Sequence, residues 1–181
     1  IMFSYRFMNM RMNKLFYGNN EISINDTMSA PNGASNGRGT YMNAPKVMKM
    51  DMHMFGIMYA PSDLVTLMLM NSYNEKEMTQ QRMLAAGGST FDVNSRGVGD
   101  LKLTGLVNVH DNKNWKNNFA LGISFPTGSI DLRDRTPASN SSRLGYNMQN
   151  GTGTYDSYFL FNNVNILGKL RIGEQIFFKM P

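Results

Sequence analysis

The 181-residue sequence contains no cysteine. That absence removes a disulfide scaffold, a thiolate nucleophile and a Cys-ligated zinc site together. Histidine occurs only at His53 and His110, which the pattern described below places on different strands. No nucleophile elbow and no pair of ligands at helical spacing accompanies them. Asp51 and His53 are two apart on one strand face, a spacing better suited to surface pairing than to catalysis. The chain therefore reads as non-enzymatic, with no cofactor and no dedicated metal site. Long apolar runs are also missing. None approaches the roughly 20 residues of a membrane-crossing helix, and mean hydropathy is negative. This excludes a helical span only, because the strands of a membrane barrel alternate and score weakly in any window. Eighteen Lys+Arg against 13 Asp+Glu leave a charge of +5. The charges are scattered, with no basic cluster interleaved with aromatics, so there is no nucleic-acid footprint. No secretory leader is visible. Ile1 falls in mid-pattern and the last residues are "FFKMP", so the single domain over 1–181 reads as cut at one or both ends.

What the chain does have is methionine, 17 of them, together with abundant Asn and Gly. In "KVMKMDMHMFGIMYA" (46–60) the methionines recur at every second residue, which is the period of a β-strand. Comparable alternation fills 1–13, 64–78, 97–110, 117–129, 153–163 and 168–179, which makes seven strands. The best helical candidate is 74–88, whose charged half also reads as the top of a strand. Long connections rich in Asn, Ser, Gly, Thr and Arg cover 14–45, 79–96 and 130–152. Short ones lie at "PSD" (61–63), "DNKNWK" (111–116) and "NVNIL" (163–167). Long and short links alternating between up and down strands are the pattern of an outer-membrane barrel. The expected fold is an all-β, antiparallel, up-and-down transmembrane β-barrel, seen here as about seven strands of a larger one.

The two faces of each strand can then be assigned. Phe3, Tyr5 and Phe7 share one side of the first strand; Val65, Leu67 and Leu69 share one side of the third. Leu101 and Leu103, and then Phe119, Leu121 and Ile123, do the same on the fourth and fifth. These faces suit lipid, and on the second strand Phe55, Ile57 and Tyr59 join them. Lys49, Asp51 and His53 continue that face into or above the head-group zone. The opposite faces are expected to look into the lumen. They carry Arg6, Met8, Met10 and Met12; Met48, Met50, Met52, Met54 and Met58; and Met68 and Met70, with Asp100, Lys102 and Asp156 as lumen charges. Glu174 shares a face with Leu170, Ile172 and Ile176, which raises a bulge or a register change there.

Three stretches also carry a resemblance: "MDMHMFGIMYAPSDLVTLMLMNSY", "SRGVGDLKLTGLV" and "LGISFPTGSIDLRDRTPASNSSRLGYNMQNGTGTYDSY". In that order they resemble a family of Gram-negative outer-membrane proteins described as transporters or as components of the MetA pathway of phenol degradation. The resemblance covers roughly 45–160, and "PTGSID", "DRTPA" and "MQNGTGTYD" are its most specific part. It implies a β-barrel in the bacterial outer membrane with no enzymatic activity. Members are longer, so the chain resembles the N-terminal part of one. Seven strands is an odd number, which a bacterial single-chain barrel does not use. Either the barrel continues outside this sequence or the count is off by one.

The inward methionines should form one patch, because strands 1 to 3 are consecutive hairpins. Packing is the first reading, since Met fills irregular space. Soft-metal contact and a track for apolar solutes are the alternatives. The lumen charges either tune selectivity or pair with one another to fill a closed interior. "PTGSID" (126–131) re-aims the chain into the long loop, which folds inward as a constriction or caps the surface. "GTGTYD" (151–156) has glycines that allow close backbone approach. The expected partners are the lipid bilayer and a small permeant or ligand. The expected function is a channel- or transporter-like outer-membrane barrel that passes or binds small solutes, apolar and aromatic ones included. A sealed structural or adhesive barrel and a soluble lipocalin-like carrier are the competing readings.

Overall fold

The alternating segments pair edge to edge into one antiparallel sheet in the computed structural model of the chain, which describes residues 1–30, 41–83 and 87–181. In chain order the strands are β1 (Met2–Met12), β2 (Leu15–Tyr17), β3 (Asn20–Ile22), β4 (Asn43–Tyr59), β5 (Val65–Arg82) and β6 (Thr90–Val98). They continue with β7 (Leu101–Asp111), β8 (Trp115–Phe125), β9 (Arg133–Thr136), β10 (Ser139–Arg143), β11 (Asp156–Leu167) and β12 (Leu170–Met180). One short helix, α1 (Ile24–Ser29), precedes β4. The main sheet runs β1-β4-β5-β7-β8-β11-β12 and curls into half of a barrel wall. The all-β, up-and-down antiparallel class expected from the sequence is the fold observed, with β1 and β12 as the outer strands of the path.

All seven expected strands are present, with corrected limits. The segment 74–88 is not helical: β5 continues to Arg82, since Asn74, Lys76 and Met78 point one way and Glu75 and Glu77 the other, and β6 pairs with its upper half. The 79–96 connection is therefore mostly hairpin strand. The fourth strand begins at Thr90 rather than 97 and is broken at Gly99–Asp100 into β6 and β7, both antiparallel to β5. The amide of Gly99 donates to the Ser72 carbonyl at 2.7 Å across the break. The last short turn is Gly168–Lys169, not 163–167, which belongs to β11. Gly168 has a left-handed φ of 64°, as a two-residue primed hairpin turn requires.

Side-chain rows follow from the register. One row reads Phe3, Ile57, Leu69, Leu103, Ile123, Ser157 and Met180; the next reads Tyr59, Leu67, Gly105, Leu121, Phe159 and Phe178. These residues lie on the convex face. Exposures of 76% for Phe3, 44% for Leu67, 41% for Leu103 and 66% for Leu121 show that no second sheet covers it among the described residues. The small hydrophobic core sits on the other side, near the long-loop end. There Met48, Met78, Val93, Leu144 and Met148 pack together under the 126–155 connection.

Candidate functional site

Every residue expected to face lipid lies on the convex surface. Phe3, Tyr5 and Phe7 of β1, Phe55, Ile57 and Tyr59 of β4, and Val65, Leu67 and Leu69 of β5 occupy successive rows with Leu101, Leu103, Phe119, Leu121 and Ile123. The sequence reading missed Phe159, Phe161 and Phe178, which extend these rows onto β11 and β12. Above the rows, aromatic and polar groups take over. The Tyr5 hydroxyl and His53 Nδ1 are 2.8 Å apart, Asn9 Nδ2 donates to Asp51 Oδ1 at 2.6 Å, and Lys49 Nζ is 3.3 Å from Glu77 Oε2. Below them stand Trp115 and a polar row of Asn117, Asn163 and Glu174. The β11–β12 register is unbroken, so Glu174 faces out because it marks this lower edge and not because of a bulge.

The opposite face is concave, since one hollow of about 510 Å³ is lined from β4 across to β12. All the expected inward residues lie on this face. Met50, Met52, Met68, Met70, Asp100, Lys102 and Asp156 line the hollow directly. Arg6, Met8, Met10 and Met12 face the same way on β1, and Met54 and Met58 on β4. Met48 is instead buried in the core with Met78 and Met148. Met78 was legible as the same parity as Met68 and Met70; Met148 was not, because it comes from the loop. Facing the thioethers across the hollow are Tyr158, Leu160 and Phe177. Tyr158 lies flat across Gly122, where a Cβ would meet its ring, and its hydroxyl is hydrogen-bonded to Thr104. Asp156, which is buried, is paired with Lys179 at 2.7 Å and accepts from the Thr154 hydroxyl at 2.8 Å.

Asp100 lines the hollow and also holds the long connection. Among the described residues it makes no ion pair with another lumen charge. Its Oδ1 accepts from the Gly128 amide at 2.9 Å, and its Oδ2 from the Thr152 amide and hydroxyl at 2.8 and 3.0 Å. Both ends of the 126–155 connection are thereby tied to the break between β6 and β7. Lys76 Nζ donates to the carbonyls of Asn147 and Gln149 at 3.1 and 2.6 Å, and Ser95 Oγ to that of Met148 at 2.6 Å. Gln149 braces the loop internally through Leu132 and Leu144. The loop folds inward, over the upper end of the concave wall.

The two glycine segments meet there. Asn150 and Gly151 donate their amides to the Ser129 carbonyl at 3.1 and 3.0 Å. A Cβ on Gly151 would stand 2.2 Å from the Gly128 carbonyl oxygen. That partner is backbone and cannot swing aside. Gly151→Ala is expected to destabilise the loop by about 1–3 kcal/mol, read as faster tryptic cleavage after Arg143 with the sheet intact.

Among known protein families, curated proteins and solved structures, none matches this chain.

Proposed function

We propose that the chain forms part of the wall of an outer-membrane β-barrel that binds or passes small apolar and aromatic solutes along its concave face. The observation that carries this reading is the convex surface. Apolar side chains are exposed there across all seven strands of the path, while the buried core is a handful of residues under one loop. Water would not tolerate so broad an apolar face on a monomer, whereas lipid requires it. The aromatic and polar rows above and below fit the two head-group zones. The outward blocks also step down. Tyr5 is opposite Phe55, but the β4 block centres on Ile57; Ile57 is opposite Leu69, but the β5 block centres on Leu67. From β5 to β12 the block holds its row. Only the steps from β1 to β5 have the obliqueness that a level bilayer cuts from tilted strands.

The concave face supports the solute class. Methionines on one side and Tyr158, Leu160 and Phe177 on the other offer apolar, polarisable contact without strong directional bonds. The family resemblance, with its phenol-pathway association, agrees with this.

Two measurements test the reading. The chain is expected to need detergent to remain monodisperse; a monodisperse chain in plain buffer would favour the soluble carrier. Reconstituted into liposomes within a closed barrel, this wall is expected to admit small neutral solutes and cause swelling. No swelling would favour a sealed barrel, the reading to which the inward loop lends weight.

A further inference from the structure

Methionine is segregated in this sheet more sharply than hydrophobicity explains. Twelve of the 17 methionines lie on the concave face of three adjacent strands: four on β1, five on β4 and three on β5. On those strands every large apolar side chain facing inward is methionine, and every one facing outward is Phe, Tyr, Ile, Leu or Val. Across the hollow the inward apolar residues of β7, β8, β11 and β12 are Leu106, Ala120, Leu160 and Phe177 and their like, with no methionine. A demand for bulk alone would mix Leu and Ile into the inner wall. What is selected is sulfur.

The register stacks these thioethers. Met2, Met58 and Met68 are directly opposite one another on β1, β4 and β5, so neighbouring Cβ atoms stand about 5 Å apart. Met8 faces Met52, and Met10 faces Met50. In the uppermost row Met48 and Met78 are closed over by Met148 and Leu144 and spent on packing, while Met12 at its β1 end stays exposed. The lower row is open: Met2 is more than half exposed, and Met58 and Met68 are half-buried. No carboxylate of β1, β4 or β5 faces inward, and among the described residues no three of His, Asp and Glu stand together. A hard or multiply charged cation therefore has no anionic oxygen to bind on this wall, and Lys102, one row up on β7, disfavours high charge further. Thioethers select soft ions of the Cu(I) type.

We propose that the concave face of β1, β4 and β5 binds soft monovalent d10 cations of the Cu(I) and Ag(I) class, with the Met2–Met58–Met68 row as the first site. The thioether ligands of the paired rows above extend the wall toward the long-loop end. The site goes beyond the solute reading and needs no flux, so a sealed barrel leaves it standing.

The test uses the full chain in detergent, labelled with [13C-methyl]methionine and titrated with silver nitrate in chloride-free buffer. The methyl signals of Met2, Met58 and Met68 are expected to shift first, with silver retained after desalting, while Zn(II) and Mg(II) move none of them. The near-isosteric double variant Met58→Leu/Met68→Leu is expected to lower silver affinity by about tenfold or more, with the signals of the packed Met48 and Met78 unchanged. Loss of retained silver in the wild type, or equal affinity in the variant, overturns the site. So does a titration in which benzyl alcohol shifts these methyls and silver does not, which would make the wall a surface for aromatic solutes. If the variant does not fold, the row-resolved wild-type titration decides alone.

Discussion

Leu121→Arg is expected to lower folding stability in a bilayer by about 2–4 kcal/mol, the magnitude for arginine near the midplane of a barrel's lipid face. Leu121 is 66% exposed and sits in the middle of the convex rows, between Gly105 on β7 and Phe159 on β11. In water such a change touches nothing buried and would fall within about 0.5 kcal/mol. The two solvents therefore give different answers to one substitution. Trp115, the single tryptophan, stands at the lower edge of the same face, so urea unfolding from vesicles can be followed by its fluorescence. Glu75→Arg provides the control, because Glu75 is on the convex face but above the apolar rows, in the row of Asn9, Asp51 and Arg96. It should change stability little. Equal, small effects from both variants would mean that water, not lipid, covers this surface.

Asp100→Ala is expected to release the 126–155 connection. The carboxylate accepts three hydrogen bonds from Gly128 and Thr152, and hydrogen bonds to a charged group contribute about 1.5–3 kcal/mol each. They act on one loop and do not add, so a loss of about 3 kcal/mol is expected. Cleavage by trypsin after Arg133, Arg135 and Arg143 reads this directly, since all three lie in the loop and are exposed. Where reclosing outpaces cleavage, the rate follows the open population, and about 3 kcal/mol corresponds to a roughly 100-fold increase. Asp100→Asn keeps one acceptor and should fall between. Unchanged cleavage in the Ala variant would show that Lys76, Ser95 and the Met148 contact hold the loop without it. If the released loop also raises solute entry into liposomes, the loop is the barrier to flow.

Strand parity was readable because it needs only a period of two. Met50, Met52, Met68 and Met70 face inward and Phe55, Ile57, Leu67 and Leu69 outward, as alternation required, whatever the register between strands. The limits of elements were less readable. Glu75, Lys76 and Glu77 look like a helical or loop segment, and only pairing with β6 makes them strand. Glu174 looked like an error until Asn117 and Asn163 were found beside it. Asp100 was recognised as an inward charge, but its partners are backbone amides 28 and 52 residues away, and nothing local to "VGDLK" points to them.

Composition and alternation were thus enough to decide class and facing, because each residue's side is set by its own strand and by the solvent it must meet. Which thioethers stand opposite one another, and which charge holds the inward loop, were decided only when seven strands chose a common register. Those contacts join residues far apart along the chain, and a one-residue slip would rewrite all of them.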